Sequence, residues 1–379
     1  MSSPLLSMPL LSISCRTRST PFSAFNRQQG MKACTVYNHM LLPTVFRSVE
    51  QDYWHLKQHV QIWDVGVERQ VEISGPDAFR LVQMMTPRDL GRAEIGQCLY
   101  APLVDDAGGL INDPIIIKLD TERYWLSIAD SDVMLWAKGL ALGYGLDVRI
   151  SEPQVWPLAV QGPKSDDLMA RVFGEEVRAI RFFRSRPLRF QDHALLVARS
   201  GWSKQGGFEI YVDDAACGRA LVVALWDAGQ PFSVGAGCPN IIERIEGGLL
   251  SYGNDMTLAN NPLEVGLEKY CQLDGAFDFI GKQALRQIRA KGPARKIRGL
   301  KIEALALDSC SEPWPVMHEG RHIGSISSAA MSPGFNCGVA LAMMDNGFWD
   351  QGLAVEVMTP SGQHRAIVYD LPFTRAIAQ

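Results

Sequence analysis

The residues best suited to chemistry lie in one segment, residues 200–211, which reads SGWSKQGGFEIY. From Phe208 onward apolar and polar residues alternate, which predicts a strand that follows a flexible glycine turn. Glu209 and Tyr211 would share one face of this strand, with Trp202 just upstream. Two aromatic rings and a carboxylate beside glycines could hold a small, partly apolar cation or a flat heterocycle. From this segment alone, a simple hairpin with one amphipathic strand is the competing interpretation.

A second acidic residue, Asp113, lies within residues 110–118, which otherwise predict an apolar strand. This strand follows a turn of sequence DDAGG and an earlier predicted strand over residues 97–104. A carboxylate in an apolar strand is costly to bury. We therefore expect Asp113 either to be satisfied by local hydrogen bonds or to take part in chemistry.

Common catalytic motifs are missing from the sequence, which contains no GxxxxGK[ST], no GxSxG, no HExxH and no GxGxxG after a strand. His55 and His59 lie one helical turn apart, but no neighbouring carboxylate or cysteine completes a metal-binding set. The eight cysteines are scattered, with no CxxC pair. We expect no metal, and any chemistry would depend on the positioning of bound reactants.

The composition is that of an ordinary globular protein with room for two or three domains in 379 residues. The net charge of -4 gives no electrostatic argument for nucleic acid or an anionic membrane as a partner. No apolar run reaches the roughly 18 to 20 residues that span a bilayer. Scattered single cysteines are typical of reduced thiols, so we expect a cytoplasmic protein; homodimer formation stays open.

The pattern of elements predicts an α+β fold. After an N-terminal arm (1–35) we place a first α+β lobe (36–155), a second α+β lobe (156–278) and a C-terminal β-barrel domain (279–379). The order strand, Gly-Pro turn and helix near residue 71 recurs near residue 156, which indicates two related lobes. Short β-like runs separated by Gly and Pro turns from Lys296 onward predict a small barrel or sandwich. Arg244 and Glu246 could form a supporting ion pair.

Taken together, several segments resemble the folate-binding aminomethyltransferase (glycine cleavage T-protein) superfamily over about residues 36 to 375. The order and spacing of these segments carry the resemblance, and they are Leu99 with Tyr100, 111–113, 206–211, 244–255, 261–267, 279–282, 324–333 and 371–373. A further set is most similar to the dimethylsulfoniopropionate demethylases of this superfamily, namely 63–65, 68–71, 81–89, 126–132, 159–165 and 200–211.

This resemblance implies three domains in a ring, with tetrahydrofolate in a central channel. It also implies site residues: Asp113 as the catalytic residue near the folate N5; Tyr100, Asp113, Glu209 and Tyr211 for the cofactor; Trp202, Tyr211 and Ser251 for the substrate. The implied reaction moves one methyl group from the sulfonium of dimethylsulfoniopropionate to N5, which gives methylmercaptopropionate and 5-methyltetrahydrofolate. The partner is thus a small molecule.

One departure from the demethylase pattern concerns the substrate carboxylate. A basic residue is expected in the N-terminal arm, but residues 20–25 contain none, and Arg16, Arg18, Arg27 and Lys32 flank the gap. Another onium or N-methyl substrate, such as a betaine or a glycine derivative, is therefore an alternative. A non-catalytic folate-binding protein is a further one, although residues 268–273 do not reproduce the KGCYxGQ motif of such relatives.

Overall fold

Two large, mainly antiparallel sheets and a closed barrel form the framework of the protein. The computed structural model describes residues 11–12 and 14–374. The first ten residues of the predicted N-terminal arm lie outside this range. The chain enters through the elements α1 (Ser23–Gln28), β1 (Ala33–Tyr37), β2 (Met40–Val45), α2 (Val49–Gln58) and β3 (Val60–Asp64). Asn38 and His39 join β1 to β2 with positive φ angles of 49° and 64°, as a tight hairpin turn requires.

The first large sheet has the strand order β10-β4-β9-β8-β5. Its part of the chain contains β4 (Gln70–Ser74), α3 (Ala78–Met85), β5 (Cys98–Tyr100), β6 (Leu103–Val104), β7 (Leu110–Asn112), β8 (Ile115–Asp120), β9 (Arg123–Ser127), α4 (Val133–Tyr144) and β10 (Arg149–Ser151). The single strand predicted over residues 110–118 is wrong, because the chain breaks at Asp113 and Pro114. Proline has no N–H to continue a ladder, so Asp113 lies in a gap between two strands.

The second large sheet has the order β12-β13-β14-β11-β3-β15. Its later elements are β11 (Trp156–Gln161), α5 (Ser165–Phe173), β12 (Ser185–Phe190), β13 (His193–Ala198), β14 (Gly207–Val212), α6 (Ala215–Ala228), β15 (Val234–Gly237) and α7 (Ile241–Glu246). The strand predicted from the GGFEIY segment is therefore confirmed as β14. Strand β3 pairs with β11 across the lobe boundary that we predict at residues 155 and 156.

The C-terminal part is a closed barrel with the order β16-β19-β18-β17-β20-β21. Its elements are α8 (Lys282–Lys291), β16 (Arg295–Ile302), β17 (Trp314–His318), β18 (Arg321–Ser332), β19 (Cys337–Asp345), β20 (Ala354–Thr359) and β21 (Gly362–Tyr369). Strand β16 pairs with both β19 and β21 and so closes the barrel. The predicted α+β class and terminal barrel are confirmed.

The two large sheets meet through a small apolar cluster. Trp125 of the first sheet packs with Tyr211 of the second at 5.8 Å between ring centroids, and Cys98 and Ala198 belong to the same buried group. A different cluster joins β7 and α7 to the barrel, with Leu110, Ile245 and Leu341 all buried. The ends of β5, β7, β9 and β14 therefore come together near the junction. Within the described residues, no helix has the length and apolar character needed to cross a membrane.

Candidate active site

Glu209 lies in the middle of β14 and is only 7% exposed. The Ser200 hydroxyl donates a hydrogen bond to its Oε2 atom. Burial raises the pKa of Glu209 above its ordinary value of 4.5, and hydrogen bonds from the Ser200 and Tyr211 hydroxyls oppose this rise. The interpretation of Glu209 as a solvated residue of an amphipathic strand is thus wrong, because both faces of β14 are covered. A buried acceptor of this kind suits a ligand that offers N–H groups.

Tyr211 lies on the same face of β14 as Glu209, as the period of two predicts. It is 3% exposed, and its ring packs against Trp125. Burial and the nearby charge of Glu209 raise the pKa of Tyr211 well above 10, so its hydroxyl stays a neutral donor. The strand thereby holds one carboxyl group and one phenol in a fixed relation at the junction of the two sheets.

Asp113 accepts a hydrogen bond of 2.7 Å from the Tyr100 hydroxyl at its Oδ2 atom. The preceding residue, Asn112, fixes the backbone between β7 and β8. Its side chain donates to the Ala129 carbonyl at 3.0 Å and to Ser131 Oγ at 2.8 Å. Burial raises the pKa of Asp113 to about 7, the Tyr100 hydroxyl and the backbone lower it, and the charge of Asp255 adds to the rise. Asp113 can therefore exchange a proton near neutral pH, as a general base must.

Tyr100 is itself held by two neighbours. Its ring meets Tyr270 edge-on at 5.2 Å between centroids, and Arg88 donates to its carbonyl oxygen. The Arg88 guanidinium lies 5.0 Å from the centroid of Tyr270, which extends the cluster. The structure thus brings Tyr100 and Asp113 together, and their roles at a folate site stay a prediction.

Two residues that we did not predict from the sequence also face this site. Glu68, in the loop between β3 and β4, receives a hydrogen bond of 3.4 Å from the Ser127 hydroxyl. Burial, and then the charges of Glu209 and Asp113, raise the pKa of Glu68 well above 4.5. Tyr37, at the end of β1, has its pKa raised by burial and by the charges of Glu68 and Asp113. Residues 68–71 belong to the segments that resemble the demethylases, but no residue type or spacing there indicated a site, since the hairpin and the loop reach it only through the fold.

Trp202 and Ser251 lie beside a buried ion pair. The Arg244 guanidinium is 5.8 Å from the Trp202 ring centroid and 2.8 Å from Asp255 Oδ2. The Ser251 amide donates to the same Asp255 carboxylate at 2.8 Å. The predicted pair of Arg244 with Glu246 is wrong. Residues two apart on a helix point in different directions, and Glu246 instead binds three other groups, namely Tyr53 at 2.8 Å, Lys57 at 2.9 Å and Ser332 at 2.6 Å.

Two of the basic residues that flank residues 20–25, Arg18 and Lys32, have partners of their own. Arg18 forms an ion pair with Glu152 at 2.5 Å, and Glu152 also pairs with Arg69 at 3.3 Å. These three side chains line a cavity of about 420 Å³ together with Trp156. Lys32 donates to the Arg47 carbonyl at 2.5 Å. The residue that would hold a substrate carboxylate therefore stays unassigned.

The His55 and His59 rings lie 5.0 Å apart, and His59 Nδ1 is 3.1 Å from Lys164 Nζ. Over residues 11–12 and 14–374, no group of three or more His, Cys, Asp or Glu side chains could hold a metal ion. All eight cysteines are free thiols.

Comparison with known proteins gives the same assignment for both parts of the chain. Residues 22–275 match the GCVT N-terminal domain, and residues 295–374 match the glycine cleavage T-protein C-terminal barrel domain. A dimethylsulfoniopropionate demethylase, DmdA, from Ruegeria pomeroyi is 54% identical over 93% of this chain and 96% of its own. An aminomethyltransferase from Thermosipho melanesiensis is 24% identical over 88% of this chain and 91% of its own.

A solved structure supports the fold independently. The aminomethyltransferase T of the Bartonella henselae glycine cleavage system superposes with a TM-score of 0.84 at 23% identity, over 94% of this chain and 98% of that one. At this identity the likeness concerns the fold alone. With both domain matches and a relative of more than half identical residues, the chain belongs to the glycine cleavage T-protein family.

Proposed function

We propose that this protein is a tetrahydrofolate-dependent methyltransferase that demethylates dimethylsulfoniopropionate. The products would be methylmercaptopropionate and 5-methyltetrahydrofolate. The 54% identity to a protein named dimethylsulfoniopropionate demethylase, over almost the whole of both chains, supports this substrate. The structural observation that carries the proposal is a group of three carboxyl side chains, in which the charges of Glu209 and Asp113 both act on Glu68 and Asp113 accepts a hydrogen bond from Tyr100.

Such a group suits the two reactants. Carboxyl groups near one another favour a cationic ligand and a heterocycle rich in N–H donors. Glu209 is the buried acceptor for pterin N–H groups, while Tyr100 and Tyr211 supply ring surface and hydroxyls nearby. The residues present therefore fit tetrahydrofolate, which would supply the N5 that accepts the methyl group.

The sulfonium needs little chemical help from the protein. Its thioether is already a good leaving group, so no general acid is required to expel it. The protein must align the methyl carbon with N5, and well-oriented reactants can gain roughly 7 to 11 kcal/mol in favourable cases. Trp202 would hold the sulfonium through cation–π attraction worth about 0.5 to 2 kcal/mol. The sulfonium would then lie between Trp202 and Ser251, because both residues contact the Arg244–Asp255 ion pair.

Asp113 would act on the folate N5 rather than on the sulfur of the substrate. Its carboxylate would stabilise the positive charge that develops on N5 and then accept the proton released there. With a pKa of about 7, the free Asp113 is partly ionised at neutral pH and can fill both roles. We place the protein in the cytoplasm. The free thiols at all eight cysteines are consistent with that reducing compartment.

The test is an anaerobic incubation of the pure protein with tetrahydrofolate and dimethylsulfoniopropionate. Both 5-methyltetrahydrofolate and methylmercaptopropionate are measured over time, and we expect them to appear in equal amounts. Asp113→Asn should slow this turnover strongly at every pH, Trp202→Ala should slow it at low sulfonium concentration, and the surface variant Glu122→Gln should leave it unchanged. Folate binding without either product would contradict the sulfonium substrate, and a panel of betaines and N-methyl glycines would then test the alternative donors.

A further inference from the structure

Glu68 is a second, half-buried carboxyl group that the charge of Glu209 affects, and the methyl transfer described above gives it no role. It belongs to a group of hydrogen-bonded side chains at the start of β4, which we call the polar node and which consists of Glu68, Gln70 and Ser127. Gln70 Nε2 donates to Ser127 Oγ at 2.9 Å and to the Glu68 carbonyl at 3.0 Å, and Ser127 in turn donates to Glu68 Oε2. Gln70 is fully buried, and its Oε1 atom has no hydrogen-bond partner among the described residues.

This node borders the proposed pterin site. Ser127 is two residues from Trp125, whose ring packs on Tyr211, and Tyr211 lies on the Glu209 face of β14. Since Ser127 engages Oε2, the other carboxyl oxygen of Glu68 is the one available to a further partner. The unpaired Gln70 oxygen is itself enclosed by protein, so the half-buried Glu68 carboxyl group is the part of the node that a ligand can reach. The node is therefore arranged to meet a polar ligand.

Two carboxyl groups that interact in a buried place do not both ionise readily. Glu209 receives hydrogen bonds from Ser200 and Tyr211, which stabilise its charged form. Glu68 receives one long bond from Ser127 and also feels the charge of Glu209. The shared proton therefore belongs mainly on Glu68, so that Glu209 is an acceptor and Glu68 is a donor.

We infer that Glu68, as a carboxylic acid, donates a hydrogen bond to an acceptor atom of the pterin ring while ionised Glu209 accepts from its N–H groups. A pterin ring carries N–H donors next to carbonyl and ring-nitrogen acceptors, so one acid and one carboxylate match its edge. This inference rests on the proposed function, because it requires a pterin at this site.

Other titratable groups face Glu68 from each neighbouring element: Glu209 and Tyr211 on β14, Asp113 between β7 and β8, and Tyr37 on β1. Cys98, on β5, interacts with Glu209, and burial raises its pKa to about 12. The two tyrosines have pKa values raised above 10 and stay neutral in the range of the test. Asp113, with a pKa of about 7, also titrates, so a comparison of variants is needed to isolate Glu68.

The experiment measures the Kd of 5-methyltetrahydrofolate by calorimetry from pH 6.5 to 9.5. Because the bound form needs the proton, wild-type affinity should fall by up to about tenfold per pH unit above the pKa of Glu68. Glu68→Gln keeps a donor that cannot titrate, so its Kd at pH 7 should stay within about threefold of wild type and lose this pH dependence. Glu68→Leu should bind about tenfold more weakly at pH 7, as expected for one lost hydrogen bond.

Glu122→Gln, an exposed substitution of the same kind, should reproduce the wild-type curve. If Glu68→Gln kept the wild-type pH dependence, or Glu68→Leu bound as tightly as wild type, the inference would be overturned. Weaker binding of the sulfonium alone in Glu68→Gln would also overturn it, since Glu68 would then be a counter-ion for the cation. Should Glu68→Leu fail to fold, the comparison of wild type with Glu68→Gln still decides. Failure of the wild type to bind folate at any pH would instead refute the proposed function.

Discussion

The Tyr100 hydroxyl and Asp113 Oδ2 lie 2.7 Å apart, and this hydrogen bond opposes the effect of burial on the acidity of Asp113. Burial alone would keep the Asp113 carboxyl group protonated. The hydrogen bond from the Tyr100 phenol lowers the pKa of Asp113 and so offsets part of this effect. The balance leaves the pKa of Asp113 at about 7, where a small change in its surroundings alters its charge. Tyr100 therefore acts on the site through the protonation of its neighbour as well as through its ring.

Replacement of Tyr100 by Phe should shift the pH dependence of methyl transfer. A hydrogen bond to a charged group contributes about 1.5 to 3 kcal/mol, which corresponds to about one to two pH units. At saturating folate, the acid limb of kcat/KM should move to higher pH by this amount, so that activity at pH 7 falls about 5- to 50-fold and recovers near pH 9.5. Tyr270→Phe, which changes the adjacent ring, should leave the limb in place. An unchanged limb in Tyr100→Phe would show that the bond does not set the acidity of Asp113.

The wild-type pH profile tests the ionisation of Asp113 directly. Its pKa is raised to about 7, and the carboxylate is the active form, so at saturating folate kcat/KM for dimethylsulfoniopropionate should rise about tenfold per pH unit below 7 and level off above it. Asp113→Asn should remove this limb and lower the rate at every pH, while the Kd of 5-methyltetrahydrofolate changes little. Stopped assays from pH 5 to 9 measure the profile. Persistence of the limb in Asp113→Asn would assign it to another group.

Changes at Trp202 separate attraction to the cation from simple packing. Trp202→Leu should raise the KM for dimethylsulfoniopropionate by roughly 2- to 30-fold, which corresponds to a cation–π contribution of about 0.5 to 2 kcal/mol. Trp202→Phe keeps a ring face and should raise it less. Inhibition by the neutral thioether product should weaken less than sulfonium binding in both variants. Equal effects on the charged and neutral ligands would argue for packing alone.

The buried pair of Arg244 and Asp255 should dominate stability at the contact with the barrel. Arg244 also donates to Ser328, and Asp255 accepts from the Ser327 and Ser328 hydroxyls. Arg244→Met leaves a buried carboxylate without its partner and should cost about 3 to 5 kcal/mol of the free energy of unfolding.

The double variant Arg244→Met with Asp255→Leu removes both charges and should be more stable than Arg244→Met alone. Urea unfolding followed by tryptophan fluorescence compares the two. A single variant as stable as the wild type would mean that the pair contributes little.

Much of the fold could be predicted from local patterns. Alternation in the GGFEIY segment is a property of the strand itself, so β14 and the shared face of Glu209 and Tyr211 were correctly predicted. The regular Gly and Pro turns after Lys296 likewise indicated the barrel, because turn chemistry is local. The broken strand at Asp113 was missed, although Pro114 could have indicated it.

The surroundings of the charged groups, by contrast, could not be predicted from the sequence. Alternation in one strand cannot show whether its polar face meets water or a second sheet. In the structure Glu209 is buried, and Trp125 of the other sheet packs on Tyr211 of the same strand face. Arg244 pairs with Asp255 because a loop folds back under α7, which the spacing of Arg244 and Glu246 could not reveal.

The sequence by itself thus determined which elements form and which family the chain belongs to, since periodicity, turns and motif order are encoded along the chain. The tertiary structure alone decided that the charge of Glu209 acts on Glu68 and that the charges of Glu68 and Asp113 act on Tyr37. Acidity depends on burial and on charges nearby in space, and those distances exist only after the lobes have packed together.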